Sequence, residues 1–147
     1  HTRCADVTGV QTCALPICRF MVFKEGFTID IYLNFLRKLL YKQERKVFLI
    51  VDNHRVHHAK KVQAWLQKHA DKIEVFYLPP YAPELNPDEL LNHDVKVNSF
   101  KHKRPRSESE LKKAIRSFMY ATQKMPLKIT SYFKKSELRY ISLAAQL

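Results

Sequence analysis

The stretch KVFLIVDNHRVHHA, residues 46–59, runs from an apolar segment straight into an aspartate, Asp52. A short continuous apolar run without alternation is typical of a β-strand that is covered on both faces. An unpaired carboxylate inside an apolar sheet costs several kcal/mol, so this aspartate is tolerable only where the strand exits toward solvent, a cation or hydrogen-bond donors. The stretch therefore predicts a buried strand with Asp52 at its carboxyl end.

Strand-like and helix-like patterns alternate around this run. RFMVF, residues 19–23, predicts a short strand, and Thr28 is the expected N-cap of the amphipathic helix that follows. A second helix is predicted at residues 60–69, and IEVFYL, residues 73–78, is the next predicted strand. Strands separated by helices pair in parallel through right-handed crossovers. The pattern therefore predicts an α/β fold with a functional site at the carboxyl edge of its sheet.

The second half of the chain begins with a proline-rich loop and continues as helices. In PPYAPELNP, residues 79–87, four prolines favour a stiff, extended loop, and Asn86 followed by Pro87 predicts a helix start. Residues 107–110 have the spacing of a capping box for another helix, and a further short helix or turn is predicted at residues 130–139.

The charge of the chain indicates its class of partner. The 147 residues carry a formal net charge of +12, and no apolar run approaches the roughly 20 residues that span a bilayer. Clustered Lys and Arg gain affinity for phosphates by releasing counterions, so nucleic acid is the leading partner, ahead of an anionic membrane surface. No charged segment followed by a short apolar core marks the N-terminus, so we expect a cytoplasmic protein. Two glycines in the whole chain exclude a Gly-rich phosphate loop.

The first 18 residues differ in character from the rest. Their central stretch VTGVQTCALPI, residues 7–17, resembles the translation of a common sequencing-library adapter. We therefore expect residues 1–18 to be non-native and residues 19–147 to hold the domain, although a genuine, partly alternating strand is also compatible with the pattern. All three cysteines lie in this segment, so neither a disulfide framework nor a thiolate metal site is predicted for the remainder.

Two acids stand out, and each also has an ordinary structural interpretation. Asp52 with the asparagine after it suits the start of a turn, and Glu89 is placed to fold back on Asn86 as a capping-box residue. Taken together, an acid at the carboxyl end of one strand and an acid in the first turn of the helix after the next strand can converge. Two carboxylates held close repel each other unless a cation lies between them, and Mg²⁺ prefers such oxygen ligands. The pair therefore predicts a divalent-metal site.

Two long motifs, VFLIVDNHRVHHAKKVQAWL and FYLPPYAPELNPDELLNHDVK, resemble in order and spacing the DDE transposases of the mariner-type superfamily, in its bacterial insertion-sequence branch. The resemblance covers nearly all of residues 19–140. It implies an RNase H-like fold, DNA as partner, and Asp52 and Glu89 as the second and third catalytic carboxylates, which would bind Mg²⁺ or Mn²⁺. It also implies a parent enzyme that cuts transposon ends and transfers the 3′-hydroxyl to target DNA with two metal ions. A homodimeric parent is compatible with it.

The resemblance also predicts what is missing from this chain. In the family the first carboxylate lies on a strand that would precede Arg19, and neither Asp6 nor Asp30 is a credible substitute. We therefore expect a truncated RNase H-like domain that lacks its first two strands and keeps its C-terminal helices. Uncovered sheet edges should make it marginally stable or prone to aggregation. The expected behaviour is DNA binding without cleavage, and an RNase H-like nuclease without strand transfer is the alternative enzymatic interpretation.

Basic residues in the second half of the chain are the predicted phosphate contacts, with a solvated helix face as the alternative for each one singly. They are Lys101, Lys103, Arg104, Arg106, Lys112, Lys113 and Arg116.

Histidines and aromatic residues near the two acids complete the candidates. The resemblance suggests that His57, together with His54, contacts DNA or water. A zinc site at His54, His57 and His58 is the weaker alternative, because zinc usually takes three or four protein ligands with supporting hydrogen bonds. Trp65 and the aromatics of residues 77–81 are interpreted as core and loop packing, not as platforms for stacking bases. On the helix of Glu89, we interpret Asp94 as a solvated acid or a support for a ligand.

Overall fold

The computed structural model describes residues 19–24, 26–101 and 104–134. Two β-strands, two short 3₁₀ turns and five α-helices follow one another along these residues. They are α1 (Ile29–Leu40), β1 (Val47–Val51), a 3₁₀ turn (Arg55–His58), α2 (Lys60–Lys68), β2 (Ile73–Tyr77), a 3₁₀ turn (Pro83–Leu85), α3 (Pro87–Asn98), α4 (Glu108–Gln123) and α5 (Pro126–Ser131). The α/β class predicted from the sequence is confirmed for these residues.

The first half of the molecule is an α/β unit. Thr28 caps helix α1, since its hydroxyl accepts a hydrogen bond from the Ile31 amide at 3.3 Å. Strands β1 and β2 pair in parallel, with Val47 opposite Ile73 and Val51 opposite Tyr77. Helices α1 and α2 pack on the sheet, and the shared apolar core is completed by residues such as Leu36 and Val62, which are fully buried. The predicted parallel pairing is confirmed.

One face of the two-stranded sheet is open in the part of the chain that the structure describes. Phe48 and Phe76 lie side by side on this face with ring centroids 6.2 Å apart, and they are 53% and 48% exposed. The Lys46 ammonium lies over the Phe48 ring and pairs with Glu74 at 2.8 Å. The prediction that β1 is covered on both faces is therefore wrong for the described residues. Although the run is apolar throughout, Val47 and Leu49 are buried while Phe48 between them is exposed.

The second half is a helical unit. Asn86 caps α3 by accepting a hydrogen bond from the Asp88 amide at 3.0 Å, and Pro87 is the first helical residue, as predicted. Ser107 caps α4 by accepting from the Glu110 amide, while the Glu110 carboxylate accepts from the amide of Arg106, one residue earlier than in the predicted capping box.

A separate apolar core joins the three helices of this unit. Its buried members are Leu91, Val95, Ile115, Met119 and Ile129. The short helix or turn predicted at residues 130–139 begins earlier, as helix α5 at Pro126, because proline suits the first turn of a helix. A turn follows at residues 132 and 133, and residues 135–139 of that prediction lie outside the described residues.

The segment 19–24 links the two cores without forming a strand. Phe20 and Val22 pack against the helical core, and Met21 packs against the core of the α/β unit. Arg19 donates to the carbonyls of Lys38 and Leu39 at the end of α1, at 2.8 and 3.0 Å. The predicted strand is therefore wrong, although its alternation is real: successive side chains face the two cores in turn.

No helix in the described ranges has the length and apolar character needed to cross a membrane.

Candidate functional site

Asp52 lies where the sequence predicts, directly after β1 at the carboxyl edge of the sheet. The Leu78 amide donates a hydrogen bond to the Val51 carbonyl at 2.8 Å, and this bond at the end of the sheet fixes the backbone just before Asp52. The Asp52 side chain then turns to meet two donors, the amide of His54 at 3.1 Å and Nε2 of His57 at 3.0 Å, which both bind Oδ1. The carboxylate is thus oriented by two hydrogen bonds while 48% of the side chain stays exposed.

The hydrogen bonds keep Asp52 charged. The bond from His57 is the largest influence and lowers the pKa of the Asp52 carboxyl below its ordinary value; partial burial opposes this, and the charge of His57 and the backbone bond from His54 add to the lowering. A group with a lowered carboxyl pKa is ionised at neutral pH. Asp52 therefore offers a fixed anionic oxygen at the edge of the sheet.

His57 belongs to the interior of the α/β unit. Its ring meets Tyr32 edge to face at 4.4 Å and is 7% exposed, and its carbonyl accepts hydrogen bonds from Gln63 Nε2 at 2.8 Å and the Tyr77 hydroxyl at 3.4 Å. A buried ring bonded to Asp52 is suited to positioning that carboxylate. The interpretation of His57 as a contact to DNA stays a prediction, and this placement does not favour it.

A buried polar pair lies behind the carboxylate. His57 Nδ1 and the Tyr32 hydroxyl are buried and have no hydrogen-bond partner within the described part of the chain. Burial raises the pKa of the Tyr32 hydroxyl, and Tyr77 and Asp52 raise it further, so this hydroxyl stays neutral. The floor of the site is therefore formed by two buried rings beneath one charged carboxylate.

Glu89 lies in the first turn of α3, and its side chain is exposed. Helix α3 packs in the helical core, whereas Asp52 belongs to the α/β unit. Among the described residues no group of three or more His, Cys, Asp or Glu side chains is arranged to hold a metal ion. The described side chains therefore do not form a complete metal site around either acid, and the convergence of Asp52 with Glu89 stays a prediction.

The predicted phosphate contacts fall on the loop before α4 and on α4 itself. Lys101, Arg104 and Arg106 are exposed on the loop, and Lys113 and Arg116 are exposed on one face of the helix. Lys112 differs, because it pairs with Glu108 at 3.1 Å, and Lys24 reaches the same carboxylate at 3.3 Å. Lys103 lies outside the described residues.

Sequence reasoning missed the environment of Asp94. This carboxylate is 16% exposed and joins α3 to α5, since it pairs with Lys128 at 2.8 Å and accepts hydrogen bonds from the Tyr132 hydroxyl and the Asn98 amide. Burial acts to raise the pKa of Asp94, but the three donors outweigh it and lower the pKa. Of the two interpretations of Asp94, the solvated acid is wrong, and the support for a ligand stays a prediction. The sequence does contain the basic partner, Lys128, but no local spacing pattern links residues on two separate helices.

The aromatic residues interpreted as core or loop packing divide into two kinds. Tyr77 stacks on His58 with ring centroids 4.5 Å apart, and Trp65 stacks on His69 at 4.0 Å, as packing residues do. Tyr81 is 101% exposed, so the interpretation of this residue as loop packing is wrong. Its backbone φ of 59° lies in the left-handed region, which only the structure reveals.

The chain is similar to a protein family and to a curated protein. The match to the family described as DDE superfamily endonuclease covers residues 10–112, which include β1, β2, Asp52 and Glu89 and overlap the N-terminal segment of unusual character. The curated protein is an insertion element IS630 uncharacterized 39 kDa protein of Shigella sonnei, which is 29% identical over 98 residues. That alignment covers 65% of this chain and 28% of the relative, so the chain spans little more than a quarter of that protein. Because the family match extends over well more than half of its residues, the chain belongs to the DDE endonuclease superfamily.

Proposed function

We propose that this chain is part of a DDE transposase of the mariner-type superfamily, in the insertion-sequence branch. The longer protein would cut the ends of its element and join the 3′-hydroxyl to target DNA in a reaction that depends on divalent metal ions. Membership of the DDE endonuclease family carries the proposal, and it implies an RNase H-like fold and action on DNA. The relative from an insertion element supports the transposition part.

In this proposal Asp52 and Glu89 are the second and third catalytic carboxylates. Asp52 is supported by its place at the carboxyl edge, by the two donors on Oδ1 and by the lowered pKa of its carboxyl. Glu89 is supported by its exposed position at the start of the helix that follows the proline-rich loop. His57 would act by holding the Asp52 carboxylate in one orientation.

A binding and cleavage assay on the chain as it stands tests the coarse part of this proposal. Fluorescence anisotropy with a labelled duplex should show binding that weakens steeply as salt is raised, because phosphate contacts release counterions. Incubation of the labelled duplex with Mg²⁺ or Mn²⁺ should leave it intact, as the sequence analysis predicts. Binding that is insensitive to salt contradicts the proposal, whereas cleavage by this chain overturns only the expected inactivity.

A strand-joining assay tests the finer part in a longer protein that contains residues 19–147. Labelled element ends should become joined to a target plasmid, and Asp52→Asn and Glu89→Gln should each abolish joining while retaining DNA binding. The matched controls are Asp30→Asn and Glu84→Gln, which neutralise exposed carboxylates outside the proposed site. Hydrolysis of the ends without joining would favour the nuclease alternative.

We also propose that residues 1–18 are not part of the natural protein. Sequencing the genomic DNA upstream of the Arg19 codon tests this directly. An open frame without VTGVQTCALPI is expected, and a locus that encodes this stretch would reject the proposal.

A further inference from the structure

Tyr81 combines full exposure with an unfavourable backbone. Its side chain is 101% exposed, and its φ of 59° lies in the left-handed region that side chains with a β-carbon rarely adopt. It follows Pro80 in a turn, at a position where Gly or Asn is the usual residue. The ring contributes no burial that would offset the backbone cost. A large aromatic side chain in this setting is better explained by contact with another molecule than by the stability of the fold.

Prolines restrict the backbone of the loop that carries this ring. Pro79 and Pro80 precede Tyr81, Pro83 follows it closely, and a 3₁₀ turn begins at Pro83. Proline fixes φ and reduces the conformational freedom of its neighbours, so the loop loses little entropy when the ring binds something. The ring is therefore exposed on a stiff loop before any partner binds.

The same loop leaves the sheet beside Asp52. Tyr77, the last residue of β2, pairs with Val51, the residue before Asp52. Tyr81 lies four residues beyond Tyr77, so its Cα is within about 14 Å of the Tyr77 Cα even if the chain is fully extended. The exposed ring and the anionic carboxylate thus both follow the carboxyl ends of paired strands, within a span that a few nucleotides of a DNA strand can cover.

We propose that Tyr81 stacks on an unpaired DNA base and thereby positions the strand at the Asp52 edge. The net charge of +12 makes a phosphate backbone the favoured partner, and an aromatic ring adds contact with the flat face of any base. The stacking is tolerant of sequence, so this residue positions DNA and does not read it. The inference rests on the proposed action on DNA and adds a residue that the carboxylate motif does not include.

The test compares two single-stranded oligonucleotides of equal length and charge, one normal and one with an internal run of abasic sites. Wild-type chain should bind the normal strand more tightly in fluorescence anisotropy at low salt. Tyr81→Ala should lose about tenfold in affinity for the normal strand and little for the abasic strand, since stacking on one base is worth about that much. Tyr81→Phe should restore the preference, because its ring can still stack.

A matched control is available in Tyr41, which is 66% exposed and follows α1 in the connection that leads to the start of β1, whereas Asp52 follows the end of that strand. Tyr41→Ala should keep the preference for the normal strand. Equal, salt-sensitive binding of both strands by the wild type, unchanged in Tyr81→Ala, would overturn the stacking inference and leave the proposed function standing. Absence of salt-sensitive binding to either strand would overturn both.

Discussion

Asp52 is accommodated at the end of β1 by its capacity to accept hydrogen bonds. The two donors on Oδ1 come from the His54 amide and from the buried ring of His57, five residues away. The residues that follow the strand therefore offset the cost of partly burying this carboxylate. An asparagine oxygen can accept the same two bonds, whereas an alanine leaves the His57 nitrogen buried without its acceptor.

Substitutions at Asp52 should therefore separate geometry from charge. We expect Asp52→Ala to lower the free energy of unfolding by about 1–3 kcal/mol, since a buried donor loses its partner. Asp52→Asn should stay within about 1 kcal/mol of wild type, because a half-exposed charge contributes little. Urea unfolding at neutral pH measures both, with Asp30→Ala as the exposed control. Equal losses in the two Asp52 variants would show that the charge, and not the accepted bonds, stabilises this turn.

At the scale of elements, α3 and α5 are joined through one carboxylate. Asp94 on α3 accepts from Lys128 of α5 and from Tyr132 just after it. Since the pKa of Asp94 is lowered in the fold, the ionised form stabilises the native state. That contribution is fully present above the unfolded pKa of about 4 and is lost as the pH falls through the lower, folded pKa.

We expect Asp94→Asn to destabilise the protein by about 1–3 kcal/mol near neutral pH, because an amide cannot replace a charged acceptor for the Lys128 ammonium. The difference from wild type should shrink at about pH 3, where the wild-type carboxyl is itself protonated in the unfolded state. Urea unfolding at the two pH values measures this, with exposed Asp71→Asn as the control. A difference that does not change with pH would rule out the ionic contribution.

The open face of the sheet leads to a second prediction at this scale. Phe48 and Phe76 present an apolar surface on a sheet whose two strands both have an unpaired edge within the described residues. Threonine keeps β-propensity and removes the apolar surface, so Phe48→Thr with Phe76→Thr should reduce self-association. The free energy of unfolding should fall by no more than about 1–2 kcal/mol, since both rings are half exposed.

Light scattering against concentration measures that association. Leu36→Ala is the contrasting variant, because Leu36 is fully buried and its truncation should cost about 2–5 kcal/mol and increase aggregation. If the double threonine variant aggregates as wild type does, the exposed pair is not the surface responsible.

Helix starts followed from the sequence because their causes are local. Thr28, Asn86 and Ser107 each accept a hydrogen bond from an amide two or three residues later, and such spacing is legible in a sequence. The segment 19–23 has the right alternation for a strand but makes no sheet hydrogen bonds, because a strand also needs a partner that its own residues do not specify. Of the site, the position of Asp52 was predictable, whereas the burial of His57 depends on the packing of α1 against the turn that follows β1.

At the scale of the whole molecule, the chain has two apolar cores with different surfaces. The exposed basic residues of α4 belong to the helical unit, while Asp52 and Tyr81 lie at the edge of the α/β unit. The net charge of +12 does not by itself tell which basic residues contact a phosphate backbone. Salt dependence can, because each phosphate contact contributes to the slope.

Lys113→Ala combined with Arg116→Ala should make the slope of log K against log salt for duplex DNA shallower by about 2, since each lost phosphate contact removes about 0.9. Lys68→Ala with Lys72→Ala removes the same charge from the α/β unit. These two residues lie near the amino end of β2, whereas Asp52 follows the carboxyl end of β1, so this pair should change the slope less. Anisotropy titrations at several salt concentrations measure both pairs. Equal slopes for the two double variants would place the DNA elsewhere.

The way the segment 19–24 divides its side chains between the two cores has a consequence for the order of folding. Apart from Met21, the core of the α/β unit is made by residues between Phe27 and Val75, so it can close while the rest of the chain is still being synthesised. The helical core needs Phe20 and Val22 from the segment before α1 and Phe133 from beyond α5, so a much longer loop must close. Phe20 and Val22 therefore stay exposed until α3, α4 and α5 have been made, so we expect the helical core to form after the core of the α/β unit.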